Sequence, residues 1–90
     1  MFSNHHVELV EINEKGIAIF EVSNYTSDDI LSIDFELTYS NSSREVIKVD
    51  TVQYSSSSGA FIKAEGQTII AQKVPNNTST ATAKIISTTN

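Results

Sequence analysis

From Ile33 to Tyr39 the chain alternates between apolar and polar side chains. Ile33, Phe35, Leu37 and Tyr39 share one parity, and Asp34, Glu36 and Thr38 share the other. Successive side chains of a strand point to opposite faces, so this is the pattern of a strand with one face buried and one in water. Leu31 extends the apolar row toward its start. Asp34 and Glu36 then belong to the solvent face.

The same reading divides the chain into seven short strands. HHVELVEI (5–12) is followed by NEKG, where Gly16 supplies a turn conformation that other residues avoid. IAIFEVS (17–23) ends where NYTSDD breaks the pattern, and the alternating stretch runs from Ile30 to about Ser40. NSSR (41–44) turns the chain into EVIKVDTVQY (45–54), with Asn and Ser satisfying turn backbone groups. SSSSG (55–59) is a flexible loop, AFIKA (60–64) a short fifth strand, and EGQ leads into TIIAQKV (68–74). Pro75 and NNTS close that strand, TATAKIIS (80–87) is the last, and TTN frays. Good helix formers never gather at helical spacing over three turns. Short strands separated by polar turns every ~8–12 residues predict an all-β, two-sheet antiparallel sandwich.

The second strand is apolar on both sides at its start. Ala18, Phe20 and Val22 share one parity, while Ile17 and Ile19 share the other with Glu21. Either this strand is central and covered on both faces, or Ile17 and Ile19 lie on an exposed patch that marks a binding surface.

Size and charge narrow the possibilities. At 90 residues the chain is one domain, 1–90, because two separate cores would each be too small to fold unaided. A domain this short hides only ~60–65% of its unfolded surface, which leaves a thin stability margin. Cysteine is absent, so there is no disulfide, thiolate metal site or cysteine nucleophile. The net charge is −5, and the six basic residues, Lys15, Arg44, Lys48, Lys63, Lys73 and Lys84, are scattered. No basic stripe exists to displace counterions from a phosphate backbone, so nucleic acid is not an expected partner. The opening MFSNHHVELVEI has no basic start followed by an apolar run, and no stretch approaches the ~20 apolar residues of a membrane helix. Neither a secretory signal nor membrane insertion is expected, although an excised domain would read the same.

The stretch GIAIFEVSNYTSDDILSIDFELTYS, with AEGQTIIA later, resembles the small bacterial immunoglobulin-like domains of the FxLYD type over roughly residues 16–74. Asn24 sits at the end of the second strand, Phe35 and Leu37 match the first two named positions, and Gly66 fits the late turn before an apolar strand. The sequence departs from the pattern where Thr38 delays Tyr39 by one residue and Ser40 stands in place of Asp. The resemblance implies an immunoglobulin-like (fibronectin III-like) sandwich of about seven strands. It also implies a module of the bacterial cell envelope or exterior, with no catalytic residues to carry over.

Candidate chemistry is sparse. His5 and His6 are adjacent, so strand geometry sends them to opposite faces, and with Glu8 they make no tetrahedral metal set. They read as a solvated terminus. Asp28, Asp29, Asp34 and Glu36 are the densest carboxylate group but lack the spacing of a calcium loop. A sandwich this small has no deep cleft in which to raise a glycosidase acid's pKa. Ser55 to Ser58 lack a nucleophile elbow, and no phosphate-cradling glycine loop or Walker lysine occurs, so neither an enzyme nor a cofactor is expected. Tyr25, Tyr39 and Tyr54 are too dispersed for a base-stacking platform. The sequons at Asn24, Asn41, Asn76 and Asn77 fall in expected turns and read as turn residues rather than glycan acceptors.

The sequence therefore predicts a non-catalytic protein-interaction or structural module that acts through its surfaces. Candidate contacts are the carboxylates Asp28, Asp29, Asp34 and Glu36 and the apolar pair Ile17 and Ile19, with NYTSDD, NSSR and SSSSG as loop tips. A rival reading is a small acidic inhibitor or regulator that docks on a basic surface by charge steering through the same carboxylates. A homodimer is a further alternative if EVIKVDTVQY is an edge strand, although Lys48 and Asp50 act against that pairing.

Overall fold

The structure is a computed structural model and describes residues 4–90. Among these residues six strands form, β1 (His5–Ile12), β2 (Ile17–Asn24), β3 (Ser32–Ser40), β4 (Val46–Ser55), β5 (Gln67–Lys73) and β6 (Thr80–Thr89), with no helix. They make two antiparallel sheets of three strands, ordered β1-β2-β5 and β4-β3-β6, which face each other as a sandwich.

Two strand pairs are hairpins closed by the same kind of turn. Gly16 N–H donates to the Asn13 carbonyl at 3.0 Å, and Arg44 N–H donates to the Asn41 carbonyl at 3.0 Å. In each, the Asn side-chain oxygen accepts two further backbone amides, from Lys15 and Ile17 or from Ser43 and Glu45. The position after the turn is left-handed in both, with φ 76° at Gly16 and 65° at Arg44. Glycine takes that conformation freely; Arg44 adopts it at a cost of ~1 kcal/mol.

The core lies between the sheets. Ala18, Phe20 and Val22 of β2 and Ile70 of β5 face Ile33, Phe35, Leu37 and Tyr39 of β3 and Ala81 of β6, all buried. β2 and β3 are the central strands, which is why buried positions recur so regularly along them. β1 and β6 depart from strict alternation. In β1 a bulge follows Leu9, so Val7, Leu9 and Ile12 all pack on the core while Val10 and Glu11 stay exposed. In β6 the irregularity falls at Ile86, which leaves Ile85 against the core and Ile86 and Ser87 outside. An extra residue in the strand resets which parity points inward.

Three expectations need correction. Leu31 does not extend the buried row; it is 44% exposed, while Ile30 is fully buried. The chain bends between them, and Ile30 is held by a bridge to Ile62 that lies outside β3. The segment 60–64 is not a fifth strand, because that single bridge is its only ladder contact among the described residues. It is too short to add a further rung before Lys63 to Gly66 turn the chain, where Gly66 N–H donates to the Lys63 carbonyl. The end of the chain does not fray at Thr88: β6 reaches Thr89, whose carbonyl accepts from Leu31 N–H at 2.7 Å, and the Asn90 amide donates to the Asp29 carbonyl.

Tyr39 is the largest fully buried side chain, and its hydroxyl has no hydrogen-bond partner among the described residues. Burial pushes its phenol above the ordinary value of 10.0, and the neighbouring Asp50 and then Tyr54 add to the rise. Because the folded state holds this proton more tightly than the unfolded chain, the associated stability is complete below pH ~10 and is lost as pH rises past it. Tyr39→Phe removes an unpaired polar atom, so at neutral pH it should be neutral or stabilising by up to ~1 kcal/mol. It should also shrink the alkaline loss without abolishing it, since burial raises Tyr54 too. Urea melts of both proteins at neutral pH and above the tyrosine range read out both effects. A destabilised Phe variant at neutral pH would mean that the hydroxyl has a partner.

Candidate interaction surface

The side chains that point away from the core form the two outer faces. On the first sheet, β2 presents Ile17, Ile19 and Glu21 outward, since Ala18, Phe20 and Val22 point in. Register then fixes their neighbours. Ile17 lies opposite Lys73, Ile19 opposite both Glu11 of β1 and Ala71 of β5, and Glu21 opposite Glu8 and Ile69. Both sequence alternatives for Ile17 and Ile19 are thus partly right: β2 is central in its sheet, yet its outer face is covered by no third layer among the described residues. The pair is half-buried between flanking side chains.

Around them the apolar surface extends to Val10 and Ile69, which are 56% and 55% exposed. Val10 faces outward by simple alternation after Leu9, and the bulge brings Glu11 out beside it. Glu8, Glu11 and Glu21 border the patch, with Lys73 at one end. Glu8 and Glu21 stand directly opposite each other, an unfavourable cross-strand pairing of like charges. His6 Nε2 lies 3.7 Å from a Glu8 carboxylate oxygen and relieves it only when protonated.

The second sheet's outer face is of different character. Glu36 lies opposite Lys84 on β6, and Asp34 accepts a 2.8 Å hydrogen bond from the Ser87 hydroxyl. Thr38, Thr51 and Thr82 lie near them in register. Asp34 thus has a hydrogen-bond partner within the sheet while Glu36 only faces a lysine in register, and both sit on the opposite side of the molecule from Ile17 and Ile19. Asp28 and Asp29 are in the β2–β3 connection, where an Asp29 carboxylate oxygen accepts from Ala64 N–H at 2.8 Å. The structure does not gather the four expected carboxylates into one cluster.

The end of the sandwich near Asp29 is instead a lock between two connections. Asn24, fully buried, accepts from the Thr26 amide and hydroxyl through Oδ1, and donates through Nδ2 to the carbonyls of Asp28 (2.8 Å) and Lys63 (3.2 Å). Ile30 N–H donates to the Ile62 carbonyl, and Glu65 N–H to that of Thr26. NYTSDD is a tied connection rather than a free tip, and burial of Asn24 leaves no room for a glycan there. Asn41, by contrast, is occupied in its turn as its sequence context predicts.

On the side where β4 and β5 lie, the Tyr54 hydroxyl donates across the sandwich to Gln72 Oε1 at 2.8 Å and contacts the Ala71 carbonyl at 3.3 Å. Its ring meets Phe35 edge-on at 6.0 Å and stacks on Phe61 at 5.8 Å. His5 and His6 lie within β1 rather than in a loose terminus. Among the described residues no three metal-ligating side chains come together.

Ile17 and Ile19 stand out in the sequence, whereas Val10, Ile69 and the glutamates around them do not. The available signal was the pair Glu8 and Glu11 in a segment otherwise rich in Val, Leu and Ile; placing them beside Ile19 and Glu21 needs the strand register. The chain matches no protein-family profile, no curated protein and no solved structure, and its function has to be read from these surfaces.

Proposed function

We propose that this protein is a non-catalytic interaction module on an immunoglobulin-like sandwich, and that it docks a partner protein through the outer face of β1-β2-β5. The observation that carries the reading is the acid-rimmed apolar patch of Val10, Ile17, Ile19 and Ile69, where Glu8 and Glu21 face each other across the strands. A partner with an apolar centre and a basic border would bury the first and neutralise the second. Charge steering, the rival expectation for Asp28, Asp29, Asp34 and Glu36, is better served by these glutamates.

The immunoglobulin-like assignment is supported by connectivity. β2 pairs with β5 in one sheet while β3 pairs with β6 in the other, as strands B with E and C with F do in that fold. β1 then occupies the A position, and β4 the place beside C that variable-type domains fill. The resemblance to FxLYD domains favours a partner at the bacterial cell envelope.

Val10 and Ile69 are the test positions, since both are exposed and their replacement should change stability by ~0.5 kcal/mol or less. Val10→Lys with Ile69→Lys is expected to weaken capture of an envelope partner at least ~10-fold, whereas Asp34→Asn with Glu36→Gln should not. Capture that survives the lysine pair, or fails with the amide pair, would move the docking face to the second sheet. No specific capture by the unaltered protein would count against the module reading itself.

A further inference from the structure

The four strand edges of the sandwich are not equally available. β1 and β6 approach each other along one side of the molecule. On the other side, the edge of β5 is met by Tyr54, whose hydroxyl reaches the Ala71 carbonyl. β4 is left. Its first half, Val46 to Val49, is exposed on both faces, with Val46 and Val49 60% and 52% exposed, although Lys48 and Asp50 occupy inward-facing register positions opposite Tyr39 and Leu37. The register with β3 slips at Ile47, but from Lys48 to Ser55 the strand is regular, and its outer edge is unpaired among the described residues, a template for another strand.

We infer that β4 pairs with β4 of a second copy of this chain, antiparallel and centred on Val49, to join two three-stranded sheets into one of six strands. The commitment to a second copy rests on charge. In a two-fold antiparallel pairing, inward residues must face inward residues, so few registers exist. Centring on Lys48 sets Lys48 against its own copy, and centring on Asp50 does the same with Asp50; like charges directly opposite are unfavourable. Centring on Thr51 leaves Lys48 facing Tyr54 and Asp50 facing Val52, with neither charge matched. Centring on Val49 alone places each Lys48 opposite the Asp50 of the other copy, twice by symmetry, with Val49 against Val49 on the outer side. Within one chain Lys48 Nζ and an Asp50 oxygen are already 3.5 Å apart, so four charges would form one alternating network. The residues that guard this edge against indiscriminate pairing thus select one register of self-pairing. The surface is separate from the proposed docking face on β1-β2-β5.

Light scattering between micromolar and millimolar protein is expected to show the mass rise from one chain to two. Lys48→Asp should raise the dimer dissociation constant at least ~10-fold, because two attractive facing pairs become repulsive. The exchanged double variant, Lys48→Asp with Asp50→Lys, should restore dimerisation. Register is read separately in this cysteine-free chain. Val49→Cys should form an intermolecular disulfide under mild oxidation, since residues directly opposite lie within bridging distance, while Gln53→Cys should not. A monomer at all concentrations, a Lys48→Asp protein that dimerises undiminished, or failure of the exchanged variant would each overturn the inference, and faster crosslinking at position 53 would overturn its register.

Discussion

Replacing Asn24 with alanine is expected to cost the fold about 3 kcal/mol and to lower its melting temperature by roughly 10–20 °C. Asn24 is fully buried and uses both ends of its amide: Oδ1 takes the Thr26 amide and hydroxyl, and Nδ2 serves the carbonyls of Asp28 and Lys63. Alanine would leave those partners unsatisfied in a confined place, and an orphaned buried group costs more than an ordinary hydrogen bond contributes. The effect should reach beyond the site. The Lys63 bond is the side chain's link from the β2–β3 connection to the segment before β5, so amide exchange should quicken at Ile30, Ile62 and Glu65 together. Asn24→Asp is a sharper test, because it keeps the acceptor but turns a carboxylate oxygen toward two carbonyls. If the Asp variant is as stable as the original, Nδ2 is not the donor that holds the two segments.

Phe35→Ala is expected to be more damaging, at about 3–5 kcal/mol, against a total stability of roughly 5–10 kcal/mol for a chain of this size. Phe35 is fully buried at the centre of β3, between Val52 and Ile85 in register, and its ring is met edge-on by Tyr54. Its loss opens a cavity where both sheets meet and removes one wall of the Tyr54 contact that closes the β4 side. Leu31→Ala is the control. It is a neighbouring apolar residue of similar apparent promise in the sequence, but it is exposed and should cost less than ~1 kcal/mol. Equal losses at the two positions in a urea melt would contradict the inward row on which the sandwich rests.

That pair of variants also marks how far the sequence could be read. The row from Ile33 to Tyr39 was legible because β3 is central and one of its faces is wholly buried, so every second residue had to be apolar. Leu31 falls on the inward parity of the sequence yet is exposed, because a bend is invisible to parity counting: nothing in ILS announces that Ile30, not Leu31, turns inward. The segment 60–64 carried strand composition without strand pairing, since Ile62 is buried by a connection that folds over the end of the core. In β1 and β6 the bulges shift the inward parity by one residue midway, which blurs the alternation that pattern reading depends on.

The candidate surface was legible only at Ile17 and Ile19. Each is ambiguous by itself, because an apolar residue on the second face of a strand means either a covering layer or an open patch. The carboxylates failed as a cluster for a related reason. Asp28, Asp29, Asp34 and Glu36 are close in sequence, but β3 carries Asp34 and Glu36 onto one outer face while Asp29 is spent on a backbone amide in the connection. Proximity along an extended chain is not proximity in space.

What the sequence determined by itself was the class of structure: strands, most of their approximate ends, turns at NEKG and NSSR, and one buried face on β3. These follow from local conformational preference and from the two-residue period of a pleated chain, both of which are written in neighbouring residues. Only the tertiary structure decided which strands are central, which edge is open, and that Glu8, Glu11 and Glu21 share a face with Ile19 and Ile69. Those depend on register between segments more than half the chain apart, and register is set by how side chains of both sheets fill one common core, a condition that no single segment contains.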